Sequence, residues 1–496
     1  MAIGLLSVIG HSSKFSAVTG ISALLGMPVA IYVATVLDPE EYGAYGLLTL
    51  WLVYAGLIGP GILSAGQREV PVLLGKGKED EALRVQNISI TAEMLYTALP
   101  VVVILGVSFF YSDTVLQLGL VIVAATYVVN RLTRFWANMN IMRERFTIVA
   151  KGNLVAAIVI PVSTLAGVNW LGVYALLLSP LIAHAVTWVY YLKRGAIGYR
   201  FTWDRTETIR LLRVGIFLQA LTLAFWAFRL TDRTIIASTL PLEQLGLYTY
   251  AMGFAMYSRL LFTNISSVLK PMLWREAAKA KSIFEGFSDI KRVTIYVALA
   301  AAVLIPISQL AFHLVATQLT TKYLDSIPIF YALSYVVYFW AVGGMHGTIL
   351  NSSLVNKQQI LLYFYGVGLM FNVALDLLVI KMGYGVVGVA WVTVGTQGLV
   401  ILALYHPVRG YLFRDTREFL MFLPRIVVPL LASLPFYFVH THSASIASNT
   451  WAFAGISLAS QLVLWTLVIM ILYRDYISMN EVRMAVNRIK MLIPGK

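Results

Sequence analysis

The sequence predicts an all-α polytopic integral membrane protein with about fourteen transmembrane helices. Hydrophobic residues make up 59% of the 496 residues and charged residues only 12%, which is about half the charged share of a soluble domain. The mean hydropathy is +0.79. The apolar residues fall in long runs with little two-residue alternation, a pattern typical of membrane helices and not of a membrane β-barrel.

The apolar runs set the order of the predicted spans. Each crossing needs about 20 residues. We place spans near residues 15–37, 43–66, 87–110, 115–137, 147–167, 171–192, 213–238, 247–269, 292–315, 327–350, 359–380, 383–404, 423–441 and 449–472.

The basic residues indicate the orientation. All but five of the 37 lysines and arginines lie at the N-terminus, in the loops after even-numbered spans or at the span ends beside those loops, or in the tail. The exceptions are Lys322 and Lys381 on the opposite side, and Arg229, Arg233 and Arg259 within spans. The positive-inside rule therefore predicts a cell (inner) membrane protein with both termini in the cytoplasm. This asymmetry accounts for the net charge of +14, so no nucleic acid partner is expected.

Several chemistries are absent from the sequence. There are no cysteines, which excludes disulfides, thiolate metal sites and cysteine nucleophiles. The N-terminus lacks a basic region and a small-residue cleavage pattern, so we interpret it as a lead-in to the first span and not as a signal peptide. No metal cluster, nucleophile triad or phosphate-binding glycine loop is visible. We expect no cofactor, no metal and no enzymatic activity.

An internal repeat divides the chain. The turn after span 1 matches the turn after span 7 at a constant spacing, pairing Leu37, Glu40, Gly43 and Tyr45 with Leu240, Glu243, Gly246 and Tyr248. Both copies lie on the same predicted side, so the repeats are parallel. We predict two pseudo-symmetric six-helix lobes and two further helices, with boundaries at 1–192 (N-terminal lobe), 193–212 (cytoplasmic linker), 213–404 (C-terminal lobe), 405–472 (spans 13 and 14) and 473–496 (cytoplasmic amphipathic tail).

The repeated segments also resemble a known family. The runs LDPEEYGAYGLLTLW, QREVPVLLGKGKEDEA and FRLTDRTIIASTLPLEQLGLYTYAM are similar to the polysaccharide-export branch of the multidrug/oligosaccharidyl-lipid/polysaccharide flippase superfamily, which includes the Wzx-type O-antigen flippases. The resemblance implies two lobes around a central cavity that opens alternately to either side. It also implies a polyprenyl-diphosphate-linked glycan as substrate, moved to the outer leaflet for lipopolysaccharide O-antigen or exopolysaccharide synthesis. Membrane lipids, a polysaccharide polymerase and glycosyltransferases are the implied partners.

The more distant lipid II flippase carries arginines in its first span. This sequence has none between Phe15 and Leu37. The comparison therefore does not favour lipid II as the substrate.

Four charged residues in spans 7 and 8 are the candidate substrate-binding residues: Arg229, Asp232, Arg233 and Arg259. Charged side chains at mid-membrane depth must face protein, water or a ligand. One interpretation is a structural Arg229–Asp232 pair that locks the two spans. The other is that the arginines face one cavity between the lobes and bind a diphosphate, which suits the guanidinium group.

Three further residues are candidates for binding a coupling ion: Asp376 and Asn372, one turn apart on span 11, and Glu93 on span 3. An interfacial or structural role is the alternative for each. Six tryptophans, Trp340 among them, fit the aromatic belt at the membrane surface, with sugar stacking as the alternative.

Two other functions remain open at this stage. A cation-coupled multidrug exporter of the same superfamily would favour acidic residues in its lobes, whereas the buried excess here is basic. A membrane glycosyltransferase or polymerase would need a sizeable outer loop with catalytic acids, whereas the predicted outer loops are short.

Overall fold

The structure, a computed structural model, is helical throughout the part of the chain that it describes, residues 5–195, 198–279, 287–352, 355–446 and 449–473. One short 3₁₀ helix, Thr321–Ser326, lies between α10 and α11. The α-helices are α1 (Leu5–Val36), α2 (Pro39–Leu57), α3 (Ile62–Gly75), α4 (Glu79–Ser108), α5 (Thr114–Met142), α6 (Phe146–Leu171), α7 (Val173–Arg194), α8 (Arg205–Thr239), α9 (Leu242–Lys279), α10 (Ser288–Gln318), α11 (Ile327–Leu350), α12 (Gln358–Lys381), α13 (Gly385–Ala403), α14 (Tyr405–Leu412), α15 (Thr416–Thr441), α16 (Ser443–Ile446) and α17 (Thr450–Leu472).

The helices confirm the predicted class of membrane protein. Thirteen of the fourteen predicted spans each coincide with one helix, and the second coincides with the pair α2 and α3. Among the described residues, eleven helices are long and apolar enough to cross a membrane, and the bent pair α2–α3 makes a twelfth. The apolar part of α1, Gly20–Val36, is shorter. The count of fourteen therefore stays a prediction.

The second predicted span is broken. We predicted one span over 43–66, but α2 ends at Leu57 and α3 begins at Ile62, with a bend of 51° between them. Two local features explain the break: Pro60 has no N–H to donate to a helix, and Gly61 has φ +71°, which favours glycine. The prediction of an unbroken span was wrong.

The internal repeat is visible in the helix boundaries. The turn between Val36 and Pro39 recurs between Thr239 and Leu242, at the spacing that separates Gly43 from Gly246. These two glycines let the backbones of α2 and α9 touch. A β-carbon on Gly43 would lie 1.8 Å from the Leu242 carbonyl oxygen, and one on Gly246 would lie 1.7 Å from the Pro39 carbonyl oxygen.

Polar contacts reinforce this end of the molecule. The Lys322 ammonium lies 2.7 Å from the Asp38 carboxylate. The Tyr323 hydroxyl donates to the Leu37 carbonyl at 3.1 Å, and its ring meets the Tyr42 ring edge-on. Helices α1–α7 (the first set) thus contact α8–α13 (the second set) through both hydrogen bonds and aromatic packing.

Ion pairs join the two sets at the opposite end. Arg210 lies 2.6 Å from Glu69, and Arg84 lies 2.5 Å from Asp204, the N-cap residue of α8. The backbone N–H of Glu207 and the Arg84 guanidinium hold the pKa of Asp204 below its ordinary value. The Asp204 carboxylate is therefore ionised at neutral pH and available to both donors.

A second backbone contact lies beside these ion pairs. A β-carbon on Gly61 would fall 2.3 Å from the Gly215 carbonyl oxygen, and the Gln219 amide donates to the Leu57 carbonyl at 2.6 Å. The two sets of helices are therefore in contact at both ends, through α2 and α9 at one end and through α3 and α8 at the other.

The last long helices attach to the second set through a buried polar network. The two ring nitrogens of His440 on α15 lie 3.0 Å from the Gln309 amide oxygen and 2.8 Å from the Ser457 hydroxyl. Tyr335 on α11 donates to the Ser433 carbonyl at 3.3 Å. These bonds tie α15 and α17 to α10 and α11.

We predict that the glycine contact between α2 and α9 is required for folding. Gly43→Val should lower the stability by at least about 1–3 kcal/mol, because the new side chain would overlap backbone that no rotamer change can move. Gly253→Ala is the matched control, since a β-carbon there meets nothing within 4 Å. The measurement is the thermal unfolding of the purified protein together with its abundance in membranes. Equal stability of the two variants would contradict the packing.

Candidate functional site

Arg229 on α8 is held by aromatic rings and not by a carboxylate. Its guanidinium lies 4.4 Å from the Phe225 ring centre and 4.6 Å from that of Trp340 on α11. Its Nη1 is buried and has no hydrogen-bond partner among the described residues. The rings stabilise the cation but leave its charge unneutralised.

Arg259 on α9 shares one of these rings. Its guanidinium lies 5.2 Å from the Trp340 ring centre, and its Nη1 lies 3.8 Å from the Met256 sulfur. Arg229 and Arg259 line one cavity of about 510 Å³. We expected this cavity between the lobes, but all of its lining residues come from α8, α9, α11, α12 and α13 or the end of α11. The expectation was wrong for this shared cavity, which lies within one set of helices, where both guanidiniums lie over the Trp340 ring. We call this space the inner cavity.

A second cavity does lie between the two sets of helices. It measures about 550 Å³ and has Arg233 and Arg259 on one side and Tyr42, Tyr45 and Thr49 on the other. Arg259 therefore stands in the wall between the two spaces. We call this second space the intermediate cavity.

A third, smaller cavity of about 300 Å³ adjoins the intermediate cavity. The two share Ala30, Tyr42, Tyr45 and Tyr257. No carboxylate or basic side chain is among its lining residues in the described chain. Its walls are largely apolar and come mostly from α1, α2, α6 and α7.

Asp232 does not pair with Arg229. It accepts hydrogen bonds from the Tyr248 hydroxyl and, at 2.8 Å, from the backbone N–H of Arg233. The carboxylate is buried, and Thr393 on α13 lies next to Tyr248. The structural Arg229–Asp232 pair considered above is therefore not formed. Asp232 also lines neither the inner nor the intermediate cavity.

Asp232 instead lies near the candidate ion-binding residues of α12. Its carboxylate is close enough to that of Asp376 to interact with it electrostatically. The Asn372 amide donates to Asp376 at 3.2 Å, and one oxygen of each side chain is buried without a partner in the described structure. These oxygens could bind a small hard cation or a proton.

Glu93 lies apart from this cluster. Arg131 on α5 lies 3.3 Å from the Glu93 carboxylate and donates to the Gly56 carbonyl at 2.9 Å. Arg131 is buried, although the sequence pattern assigned it to a cytoplasmic loop. The pair fixes the end of α2 just before the break at 58–61, and Glu93 lines none of the three cavities.

Sequence reasoning missed four residues of these sites: Tyr248, Asn351, Tyr365 and Gln397. Polar and aromatic residues at single helical positions give no signal by themselves, because their neighbours lie on other helices. Trp340 was recognised, but mainly as a belt residue. It is 9% exposed and lines the inner cavity.

Comparison with solved structures confirms the fold. The chain is similar to "Lipid II flippase MurJ, inward closed conformation" with a TM-score of 0.69 and 15% identity, covering 94% of this chain and 99% of that one. It is similar to an inward-facing multidrug resistance MATE family transporter with a TM-score of 0.59 and 14% identity, covering 80% and 94%. The outward-facing form of such a transporter gives a TM-score of 0.58 at 14% identity, covering 82% of this chain and 96% of that one. At these identities the likeness concerns the fold alone.

Sequence comparison supplies the family. No curated protein matches the chain. The model of a family described as "Polysaccharide biosynthesis protein" matches residues 32–328, which is more than half of the sequence and includes both repeated turns. The protein belongs to this polysaccharide biosynthesis family, within the multidrug/oligosaccharidyl-lipid/polysaccharide flippase superfamily that its repeats resemble.

Proposed function

We propose that the protein is a flippase that moves a polyprenyl-diphosphate-linked oligosaccharide from the cytoplasmic to the outer leaflet for cell-surface polysaccharide synthesis. The observation that carries this proposal is the position of Arg259 in the wall between two cavities, with Arg229 in one and Arg233 in the other. A diphosphate in hydrocarbon would carry a very large desolvation cost. Fixed guanidinium groups supply charge-assisted hydrogen bonds that offset this cost.

The cavities distinguish this substrate from a cationic drug. MATE transporters share the fold, so drug export is the competing function. Among the described residues, no carboxylate lines the inner or the intermediate cavity, whereas arginines line both. This charge favours an anionic ligand and opposes a cationic one.

Transport would proceed by alternating access. In the proposal the two sets of helices are lobes that separate at one end while contacts persist at the other. These contacts include the Lys322–Asp38 pair at one end and the Arg210–Glu69 pair at the other. Exposed ion pairs are weak, at about 0–1 kcal/mol each, so they can break and re-form during each cycle.

The buried acidic cluster supplies a means of coupling. We assign Asp232, Asn372 and Asp376 to a site for sodium or a proton, because they bring two carboxylates and unpartnered oxygens together away from lipid. Glu93 is left out of this site, since Arg131 already neutralises it. Asp232 shares α8 with Arg229 and Arg233, so cation occupancy can act on the arginine-lined walls through one helix.

The orientation and partners of the protein belong to the same proposal. Both termini lie in the cytoplasm of the inner membrane, which follows from the sidedness of the basic loops. Glycosyltransferases on that side would supply the lipid-linked glycan, and a polysaccharide polymerase on the other side would consume it.

Removing the cavity charge should strongly reduce export. Arg229→Ala and Arg259→Ala each lose hydrogen bonds to a charged group, worth about 1.5–3 kcal/mol, so export should fall roughly 10- to 100-fold. The assay is complementation of a flippase-deficient strain, scored with protein abundance. Arg417→Ala is the control, because Arg417 is exposed and lines none of the three cavities. Normal export by an abundant Arg259→Ala variant would overturn the proposed function.

Linking the lobes at either end should stop transport. The chain has no native cysteine, so Glu69→Cys with Arg210→Cys can be joined by a reducible bifunctional thiol reagent, as can Asp38→Cys with Lys322→Cys. Export should stop on linking and return on reduction. The control is Lys291→Cys with Glu418→Cys, which replaces an ion pair between α10 and α15. Continued export with either inter-lobe link in place would contradict alternating access.

The acidic cluster should bind a cation that stabilises the fold. Sodium chloride, compared with choline chloride, or an acidic buffer compared with a neutral one, should raise the unfolding temperature of the purified protein. Asp376→Asn should abolish this rise, and the exposed Asp325→Asn should preserve it. A wild-type protein indifferent to both sodium and pH, or an Asp376→Asn variant with an unchanged response, would refute the coupling site.

A further inference from the structure

We propose that the inner cavity is a carbohydrate subsite that holds the sugar attached to the diphosphate, and that Gln397, Asn351 and Trp340 select that sugar. This inference rests on the proposed function. In this proposal the diphosphate binds at the Arg259 guanidinium, and the first sugar lies next to it in the inner cavity.

The inner cavity contains polar groups that the protein leaves unsatisfied. The Trp340 indole N–H and the Arg229 Nη1 are buried without hydrogen-bond partners in the described structure. Trp340 is 9% exposed and Gln397 4% exposed. The carboxamides of Gln397 and Asn351 line the same space and form no side-chain hydrogen bond with any described residue. Asn351 is exposed, whereas the other groups are buried. Buried donors and acceptors are normally paired, so the indole, the guanidinium and the Gln397 carboxamide point to a ligand with several hydroxyl or amide groups.

The rest of the lining is aromatic. One wall is a row of three rings in contact. The Phe225 ring centre lies 5.9 Å from that of Trp226 and 5.4 Å from that of Tyr365. The apolar C–H face of a pyranose ring packs on such a surface, while its hydroxyl groups project sideways towards donors and acceptors. Aromatic walls with a few convergent polar groups are also typical of small-molecule sites of about 300–1,000 Å³, and this cavity measures about 510 Å³.

Other parts of the substrate fit this cavity less well. A polyprenyl chain would leave the indole N–H, the guanidinium and the Gln397 carboxamide without partners, at a cost of about 1–3 kcal/mol for each buried group. The small apolar cavity beside Tyr257 has no such groups and suits hydrocarbon better. A second phosphate in the inner cavity could bind the Arg229 guanidinium, but it would make no packing contact with the aromatic wall.

Gly347 of α11 helps keep the cavity open, whereas a β-carbon on Gly343 would lie 2.3 Å from the Ile401 side chain. Gly343, Gly344 and Gly347 line the cavity, and the nearest atom to a β-carbon on Gly347 would be the Asn351 amide nitrogen at 3.8 Å. Larger residues on this face of α11 would occupy the space between Trp340 and Asn351. The absence of side chains there is what gives a ring-sized ligand access to both.

The test compares lipid diphosphates with and without a sugar. The probes are undecaprenyl diphosphate and its conjugates with glucose, galactose, N-acetylglucosamine and N-acetylgalactosamine, each titrated against the purified protein in detergent. Wild-type protein should bind at least one conjugate more tightly than the bare lipid. Gln397→Leu, which keeps the side-chain volume, should weaken that conjugate roughly five- to tenfold and leave the bare lipid unchanged. Gln359→Leu, an exposed position on α12, is the control.

The outcomes separate the two proposals. Arg259→Ala should weaken every probe, because all carry the diphosphate. If the wild-type protein binds none of the probes, the proposed function fails. If the bare lipid binds as tightly as all four conjugates, or if Gln397→Leu weakens bare and conjugated lipid equally, the diphosphate site stands and the carbohydrate subsite is overturned. Unchanged binding of bare lipid by Gln397→Leu also shows that the variant is folded.

Discussion

The cost of placing a guanidinium in a membrane governs the centre of this protein. A charge at mid-membrane depth costs at least about 2.5–3.5 kcal/mol, and an adjacent carboxylate would be the simplest remedy. The structure uses a different one, in which Phe225 and Trp340 cover the faces of Arg229 while Tyr248 takes up the carboxylate of Asp232. Cation–π contacts stabilise a desolvated cation by about 2 kcal/mol without cancelling its charge. The arginine therefore keeps its electrostatic attraction for an anion.

This arrangement separates positive from negative charge around a single helix. Arg229 and Arg233 are one turn apart, about 6 Å along α8, and they line different cavities. Asp232 lies between them in sequence but accepts a hydrogen bond from Tyr248 on α9 and interacts electrostatically with Asp376 on α12. A substrate anion and a coupling cation would thus both bind beside α8, so a shift of that helix would change both sites.

Much of the fold could be predicted from the sequence because it depends on one-dimensional signals. Hydropathy located the helices, and the spacing between Gly43 and Gly246 located the repeat. The close backbone contact of these glycines could not be predicted, because a glycine gives the same signal in a loop, a kink and a crossing. The break before Gly61 was missed for a similar reason: the apolar run continues through it, and only Pro60 and the glycines on either side of it mark the position.

The candidate site was predicted less completely. Intramembrane charge is a strong signal, so Arg229 and Arg259 were identified and the structure places them around one indole ring. Arg131 was missed because its position near the end of a span resembles that of a loop residue, and its partner Glu93 lies on another helix. Gln397 and Asn351 gave no signal at all, since an uncharged amide is common in spans and its role depends on which helices meet.

The two repeats differ in a way that bears on how a flippase could work. The repeat spacing puts Gly26 opposite Arg229 and Gly56 opposite Arg259, so the first set has no equivalent cations. At Gly56 the carbonyl accepts a hydrogen bond from Arg131, whose charge Glu93 already neutralises. Among the described residues, the arginines that line the inner and intermediate cavities therefore all belong to the second set. Under the proposed function, a diphosphate would stay bound to that set while its contacts with the first set open at one end and then at the other. The electrostatic cost of carrying the headgroup across is then met once, on binding, because the charge moves with the helices that hold it.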